Sequence, residues 1–255
     1  MALTETEAIV LKTYNLAEAD RIVVCLTRNA GLIRAVAKGS RKLKNRFGAA
    51  LEPFTLLHIV YFQKENQELV SLRQAEILKS YFSLFREPNV LSGLAYMGDL
   101  IAEFSPPHQT NDKLFRMVSA CVEAVAEYHQ TDPQDLQLIL RYFEIWILRL
   151  EGFLPDLKRC AECHRTFSEG VGILLNHELG LLCPECAQGK GEALSRKAYS
   201  HLCATQILSP QIFVQQSQGL STTIQSELAE LTHRMIGRVL DRRPRVQMVF
   251  ESGRS

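Results

Sequence analysis

The 255-residue sequence lacks any apolar run long enough to cross a membrane. Its most apolar stretch, residues 136–150, is interrupted by Arg141, Glu144 and Arg149. The first twenty residues also lack the basic start and apolar block that form a secretory signal peptide. Net charge is nearly absent, at +1, so whole-chain electrostatics favours no class of partner. A membrane-bound or exported protein is therefore not predicted, and a cytoplasmic location is expected.

Motifs of the common enzyme classes are missing as well. The sequence contains no G-x-x-x-x-G-K phosphate loop, no G-x-G-x-x-G pattern, no G-x-S-x-G elbow and no H-E-x-x-H pair. Cys183-Pro184-Glu185-Cys186 matches half of the zinc-deaminase signature. The H-x-E half is missing, because His177 and Glu178 are adjacent. We therefore expect a protein that is not an enzyme.

The seven cysteines are unevenly distributed. Cys25, Cys121 and Cys203 stand singly in apolar segments, as buried thiols do. The others form two C-x-x-C pairs with the spacing of a four-thiolate zinc site: Cys160, Cys163, Cys183 and Cys186. Disulfides and free thiols are the alternatives, but a reducing cytoplasm favours metal. Since four sulfur ligands leave no open position, the pattern predicts one structural Zn²⁺ per chain. His164 and His177 are interpreted as loop residues.

The first eighty residues have the pattern of five short strands joined mostly by hairpin turns. Side chains alternate between two faces from Leu32 to Lys38, and Gly31 before them suits a tight turn. No helical period separates these strands. Five strands in this arrangement predict a small β-barrel of the OB-fold type, a fold that binds oligonucleotides.

A strongly basic segment lies between the third and fourth predicted strands. Residues 38–48, which we call the basic loop, contain two glycines, no acid and five cations: Lys38, Arg41, Lys42, Lys44 and Arg46. A packed core cannot hold such a segment, so we predict an exposed loop that contacts DNA phosphates, with Phe47 available to stack on a base. A loop that only increases solubility is the alternative.

After residue 80 the apolar period becomes helical. Helices are predicted from Val90 to Phe104, from a cap at Asp112, from Pro133 to Gly152, and after Ser195 and Ser221. The cysteine pairs interrupt this series, so the zinc module is expected to be an insertion. A second basic cluster at residues 241–245 fits either helix-end electrostatics or a contact with DNA or protein.

The predicted fold class is therefore α+β and multidomain: an N-terminal OB-fold β-barrel followed by an α-helical bundle with an inserted four-cysteine zinc module. The expected division has five segments. They are a nucleic-acid-binding OB-fold domain at 1–80, the first part of a helical domain at 81–153, the zinc module at 154–192, the second part of the helical domain at 193–245, and a tail at 246–255.

The succession of several short motifs resembles the RecO family of bacterial recombination mediators. In the barrel they are E-T-E-A-I-V-L at 5–11, E-A-D-R-I-V at 18–23, K-G-S-R-K at 38–42 and L-E-P-F at 51–54. Around the cysteines they are G-F-L-P-D-L at 152–157 and G-L-L-C-P-E-C at 180–186. The similarity runs in matching order from about residue 5 to residue 190.

This resemblance implies a non-catalytic DNA repair protein that binds single- and double-stranded DNA and anneals complementary strands. It also implies that the protein assists recombinase loading on strands coated with single-strand-binding protein. The implied partners are DNA, RecR and the acidic C-terminal tail of single-strand-binding protein, in the bacterial cytoplasm at the nucleoid. We hypothesise that a pocket among the helices binds that tail, with a cation nearby: Arg141, Arg149 or Arg242.

The five cations of the basic loop would then follow the DNA backbone, and the four cysteines would hold their module rigid. Two other functions stay open from the sequence. One is a zinc-ribbon nucleic-acid-binding factor of transcription or RNA processing, in which the zinc module itself contacts nucleic acid. The other is a zinc-supported enzyme.

Overall fold

The computed structural model describes residues 2–64, 68–128, 133–168 and 170–240. The chain forms two compact units, Met1–His129 and Gln130–Ser255. The first contains a β-barrel and two long helices, and the second contains the cysteine module and the remaining helices. The five-segment division expected from the sequence stays a prediction.

Five strands of the first unit close into a barrel in the order β1-β2-β3-β5-β4. Their bounds are β1 Ala2–Leu16, β2 Asp20–Thr27, β3 Gly31–Ala37, β4 Leu56–Gln63 and β5 Leu69–Lys79. Neighbouring strands are antiparallel, except that β3 and β5 pair in parallel. The parallel pair closes the sheet on itself, which leaves no open edge to pair with another chain. The predicted OB-fold barrel is confirmed.

The turn between β2 and β3 shows why glycine is needed there. Gly31 has φ of +64°, and a Cβ at this position would lie 2.1 Å from the backbone oxygen of Gln109. The Thr27 hydroxyl donates to the Gly31 carbonyl at 2.8 Å and accepts from the Ala30 N–H at 3.0 Å. These bonds fix the turn, and β3 then directs Ile33 and Ala35 into the barrel core.

Two helices complete the described part of the first unit: α1 Pro88–Phe104 and α2 Asp112–Tyr128. Helix α1 ends where the two prolines after Ser105 predict. The predicted cap of α2 is wrong by one residue, because the Asn111 side-chain oxygen accepts from the Leu114 N–H at 3.0 Å. Asp112 instead accepts from Arg28 and Arg116, both at 2.9 Å.

The second unit is built on α3 Pro133–Leu150. Three further helices follow the cysteine module: α5 Arg196–Ala204, α6 Pro210–Ser217 and α7 Thr222–Leu240. Helices α6 and α7 pack against α3. Gly152, with φ of +79°, ends α3 as predicted, whereas α6 was not predicted from the sequence. No helix among the described residues has the length and apolar character that a bilayer crossing requires.

A buried charge network joins α3 to α7. The Glu144 carboxylate is 0% exposed and pairs with the Arg141 guanidinium at 2.6 Å. Thr232 donates to the same carboxylate at 2.5 Å, and His233 Nε2 lies 3.5 Å from it. Burial raises the pKa of Glu144, but Arg141 and His233 outweigh burial and lower it. The network therefore holds an ionised carboxylate inside the bundle.

This network corrects one hypothesis from the sequence. Arg141 is buried and committed to Glu144, so it cannot hold an acidic peptide. Arg149 is exposed and lies 4.7 Å from the Trp146 ring centre. Trp146 is half-buried, and its ring N–H donates to the Thr205 carbonyl at 2.7 Å. Arg242 lies outside the described residues.

Candidate metal centre and nucleic-acid surface

The first C-x-x-C pair lies in a tight backbone turn. The His164 N–H donates to the Cys160 carbonyl, and the Cys160 N–H donates to the Arg165 carbonyl, both at 3.0 Å. His164 has φ of +58°, so the chain reverses directly after Cys163. This local hydrogen bonding holds the two cysteines on one knuckle.

The second pair lies where a strand meets a short helix. Three short strands, β6 Ile173–Leu175, β7 Leu181–Leu182 and β8 Glu192–Leu194, form a sheet in the order β7-β6-β8. Cys183 follows β7 and caps α4 Pro184–Ala187, whose last N–H donates to the Cys183 carbonyl at 3.0 Å. The Ala161 N–H donates to the Leu181 carbonyl at 2.8 Å, which joins the two knuckles.

Together the knuckles bring the sulfur atoms of Cys160, Cys163, Cys183 and Cys186 within 4.8 Å of one another. The Sγ atoms of Cys163 and Cys183 are 3.9 Å apart. A tetrahedral zinc with Zn–S bonds of about 2.3 Å places its sulfurs about 3.8 Å apart, whereas a disulfide needs about 2.05 Å. The four cysteines are free thiols, so the geometry is that of a metal site.

The electrostatics of the site also suit a cation. Burial raises the pKa of the Cys160 thiol, but N–H groups of the two knuckles stabilise its thiolate and lower the pKa to about 6. The backbone N–H and the guanidinium of Arg165 lower the pKa of Cys163. Hydrogen bonds with Cys163 and Cys183 raise the pKa of Cys186. A metal ion would relieve the repulsion that keeps all four sulfurs from ionising together.

His164 and His177, which were interpreted from the sequence as loop residues, are exposed and lie outside the cysteine cluster. Arg165, beside Cys163, forms an ion pair with Glu185 of the second knuckle. With four sulfur donors and no fifth side chain among the described residues, the cluster offers a closed tetrahedral shell. Such a shell supports folding of the module and leaves no coordination position for a substrate.

The basic loop is exposed at all five predicted cations, Lys38, Arg41, Lys42, Lys44 and Arg46. Two of them also brace the loop, because Arg41 donates to the Ala17 carbonyl at 2.9 Å and Arg46 to the Leu72 carbonyl at 3.2 Å. Within the described residues, the three lysines pair with no carboxylate. The loop is therefore a fixed frame whose ammonium groups are available to phosphates.

The prediction that Phe47 stacks on a base is wrong. Phe47 is 4% exposed and belongs to the barrel core. The Arg46 guanidinium lies 4.8 Å from the centre of its ring. Asn45 Oδ1 accepts from the N–H groups of Phe47 and Gly48, at 3.0 and 2.8 Å. Phe47 thus anchors the end of the basic loop, and its ring is not accessible to a ligand.

Further cations lie outside the basic loop and were not predicted from the sequence. Arg34 on β3, Arg73 on β5 and Lys64 just after β4 are exposed on the barrel. They are dispersed in the sequence, and only the alternation of side chains along each strand indicates that Arg34 and Arg73 face outward. The basic cluster at 241–245 lies outside the described residues.

Two family models together match nearly the whole chain. "Recombination protein O N terminal" matches residues 1–81, and "Recombination protein O C terminal" matches residues 86–247. The first match covers the barrel, and the second covers the helices and the cysteine module.

Curated relatives agree with these models. The chain is 38% identical over 183 residues to the DNA repair protein RecO of Koribacter versatilis (strain Ellin345), and the matched residues make up 71% of each chain. It is 33% identical over 181 residues to the RecO of Anaeromyxobacter sp. (strain K), covering 71% of this chain and 69% of that one. With the RecO of Symbiobacterium thermophilum it shares 32% identity over 194 residues, covering 75% and 74%.

Proposed function

The chain belongs to the RecO family of DNA repair proteins, and from this premise we propose that it is a non-catalytic recombination mediator. It binds single- and double-stranded DNA, anneals complementary strands and assists recombinase loading on strands coated with single-strand-binding protein. Its place of action is the bacterial cytoplasm, at the nucleoid. The observation that carries the proposal is the exposed basic loop on a closed OB-fold barrel.

The loop suits a backbone contact because its cations are exposed and its frame is fixed. Lysine ammonium groups attract phosphates without reading bases, so binding is independent of sequence. Two complementary strands repel each other through their phosphates. Cations that neutralise part of this charge lower the cost of bringing the strands together. Annealing on this surface needs no bond chemistry and no nucleotide hydrolysis.

The four-cysteine cluster takes a structural role in this proposal. Cys160, Cys163, Cys183 and Cys186 would hold one Zn²⁺, which supplies a fixed tetrahedral centre to a module with only short strands and one helical turn. A zinc-ribbon factor that uses this module to contact nucleic acid is disfavoured. Three cations lie near the knuckles in the sequence, Lys158, Arg159 and Arg165, against five in the basic loop, and Arg165 is already paired with Glu185.

RecR and the acidic tail of single-strand-binding protein are the proposed protein partners. Because Arg141 is buried, Arg149 is the candidate among the described residues for binding the tail. Its exposed guanidinium lies beside the half-buried Trp146 ring. A carboxylate-rich peptide would find a cation at that position, beside an aromatic ring. Charge reversal at Arg149 is expected to weaken binding of such a peptide.

The test of the proposed function is annealing of complementary oligonucleotides coated with single-strand-binding protein, with and without this chain. We expect annealing to accelerate with the chain present and without ATP. The chain should also bind oligo-dT in a fluorescence anisotropy assay, with an affinity that falls steeply with salt. Absence of acceleration together with a flat salt response would refute the proposal.

A further inference from the structure

The outer face of the barrel contains a groove beside the basic loop. It has a volume of about 580 Å³ and lies where β3, β5 and β4 run side by side. Its size falls within the roughly 300–1,000 Å³ of small-molecule sites in proteins. The groove therefore has room for a ligand group, and its lining indicates which group.

Strand register explains how the floor of the groove forms. Ser71 of β5 pairs with Val36 of β3 on one side and with Phe62 of β4 on the other. Tyr61 and Leu72, the neighbours of Phe62 and Ser71, belong to the barrel core. Phe62 and Ser71 consequently face outward. The small serine between two larger apolar side chains leaves a hollow beside one face of the barrel.

The lining of this hollow combines an aromatic ring with cations. Phe62 is half-buried and lines the groove, and the Arg73 guanidinium lies 5.9 Å from the centre of its ring. Lys38 and Lys64 line the groove as well, and Glu68 is the one acid among its described lining residues. A groove lined by an aromatic ring and several cations is the arrangement with which proteins bind single strands of nucleic acid.

Lys38 connects the groove to the basic loop, because it is both a lining residue and the first residue of that loop. A strand whose phosphates follow the loop would thus reach the groove without a break. Resting on the proposed function, we propose that this groove holds one unstacked nucleobase of a bound single DNA strand, with the base against Phe62 and the flanking phosphates near Lys38, Lys64 and Arg73.

The test compares two ligands of equal length and charge on the full chain: labelled oligo-dT and a labelled abasic oligomer. The variants are Phe62→Ala and, as a matched control, Phe82→Ala, which removes a ring that is 59% exposed and does not line the groove. Phe62→Ala should weaken oligo-dT binding roughly 5- to 150-fold, since base–aromatic stacking has this magnitude. Its affinity for the abasic oligomer and its salt slope should match those of the wild type. Phe82→Ala should behave as wild type with both ligands.

A second variant tests the groove without removing an aromatic side chain. Ser71→Leu fills the hollow with an apolar side chain and should also weaken oligo-dT binding while abasic binding is retained. Circular dichroism and thermal melting show whether each variant folds. Excess dTMP should not displace oligo-dT, because the groove holds a base within a strand and not a free nucleotide.

The outcomes separate this inference from the proposed function. If the wild type binds neither ligand in a salt-dependent way, both proposals fail. If it binds both ligands and the folded Phe62→Ala and Ser71→Leu variants match it, the groove proposal alone is overturned. Equal losses for oligo-dT and abasic DNA would also overturn it, because they indicate a phosphate contact without stacking. Displacement of oligo-dT by dTMP would also overturn it, because it would assign the groove to a free nucleotide.

Discussion

Removing two charges from the basic loop gives the most direct test of the electrostatic argument. Lys42 and Lys44 are exposed, and the structure pairs neither with a carboxylate within its described residues. Glutamine at both positions keeps a polar side chain that can donate hydrogen bonds but removes two positive charges. Since neither side chain supports the fold, the variant should melt at the wild-type temperature.

The magnitude follows from counterion release. Arg41 and Arg46 each donate one bond to a backbone carbonyl, but a guanidinium has further N–H donors for a phosphate. With all five loop cations engaged, the slope of log K against log salt should be about −3.5, and the double variant should give about −2.1. Between 50 and 200 mM salt the wild type then loses about 130-fold in affinity and the variant about 20-fold.

Fluorescence anisotropy with labelled oligo-dT across this salt range measures both slopes. The matched control replaces Lys113 and Lys197, two exposed lysines outside the loop, by glutamine. It changes the net charge of the chain by the same amount, so it separates local phosphate contact from general attraction. The reasoning is refuted if the loop variant keeps the wild-type slope, or if the control pair lowers the slope equally.

Two further predictions concern the second unit. Elemental analysis should find one zinc per chain. Cys163→Ser should lose the metal and lower the melting temperature of the module, because zinc binding is coupled to folding. A variant with unchanged metal content and unchanged melting temperature would contradict the zinc site. Glu144→Gln should destabilise the chain by roughly 3–5 kcal/mol in urea denaturation, because Arg141 is left buried without its carboxylate. The pKa of Glu144 is lower in the folded chain than its ordinary value of 4.5. The ionised carboxylate should therefore contribute its whole stabilisation above pH 4.5, and this contribution should be lost as the pH falls below 4.5. A variant with wild-type stability and wild-type pH dependence would show that the pair contributes nothing.

Local signals in the sequence were sufficient for the barrel, the long helices and the cysteine site. The two C-x-x-C pairs fix sulfur positions within each knuckle, so their spacing alone predicts a tetrahedral set. The five strands follow from alternation and turns. Helix α6 was missed because it has only eight residues. Two residues mark the start of α6 in the sequence: Ser209, whose side chain accepts from the Ile212 N–H, and Pro210 in the first turn.

Features that depend on distant pairings could not be predicted in this way. Phe47 lies among cations and glycines, and local composition placed it on the surface. In the structure Phe47 is instead buried in the barrel core, in the same cluster as Ala50 and Leu51, where it anchors the end of the basic loop. The groove depends on the register of Ser71 with two strands at once. No short stretch of sequence contains that register.

The two proposed contacts would let a strand be held and still pair. Cations of the basic loop contact phosphates, which leaves every base free. A stack against Phe62 uses the flat face of one base and leaves its hydrogen-bonding edge directed away from the ring. A complementary strand could therefore begin to pair while the first strand is still bound. A surface that instead bound base edges would have to release them before pairing, and annealing would be slowed by its own affinity. The Phe62→Ala variant distinguishes these cases, because loss of an edge contact would speed annealing as binding weakens, whereas loss of a stacking contact should slow it.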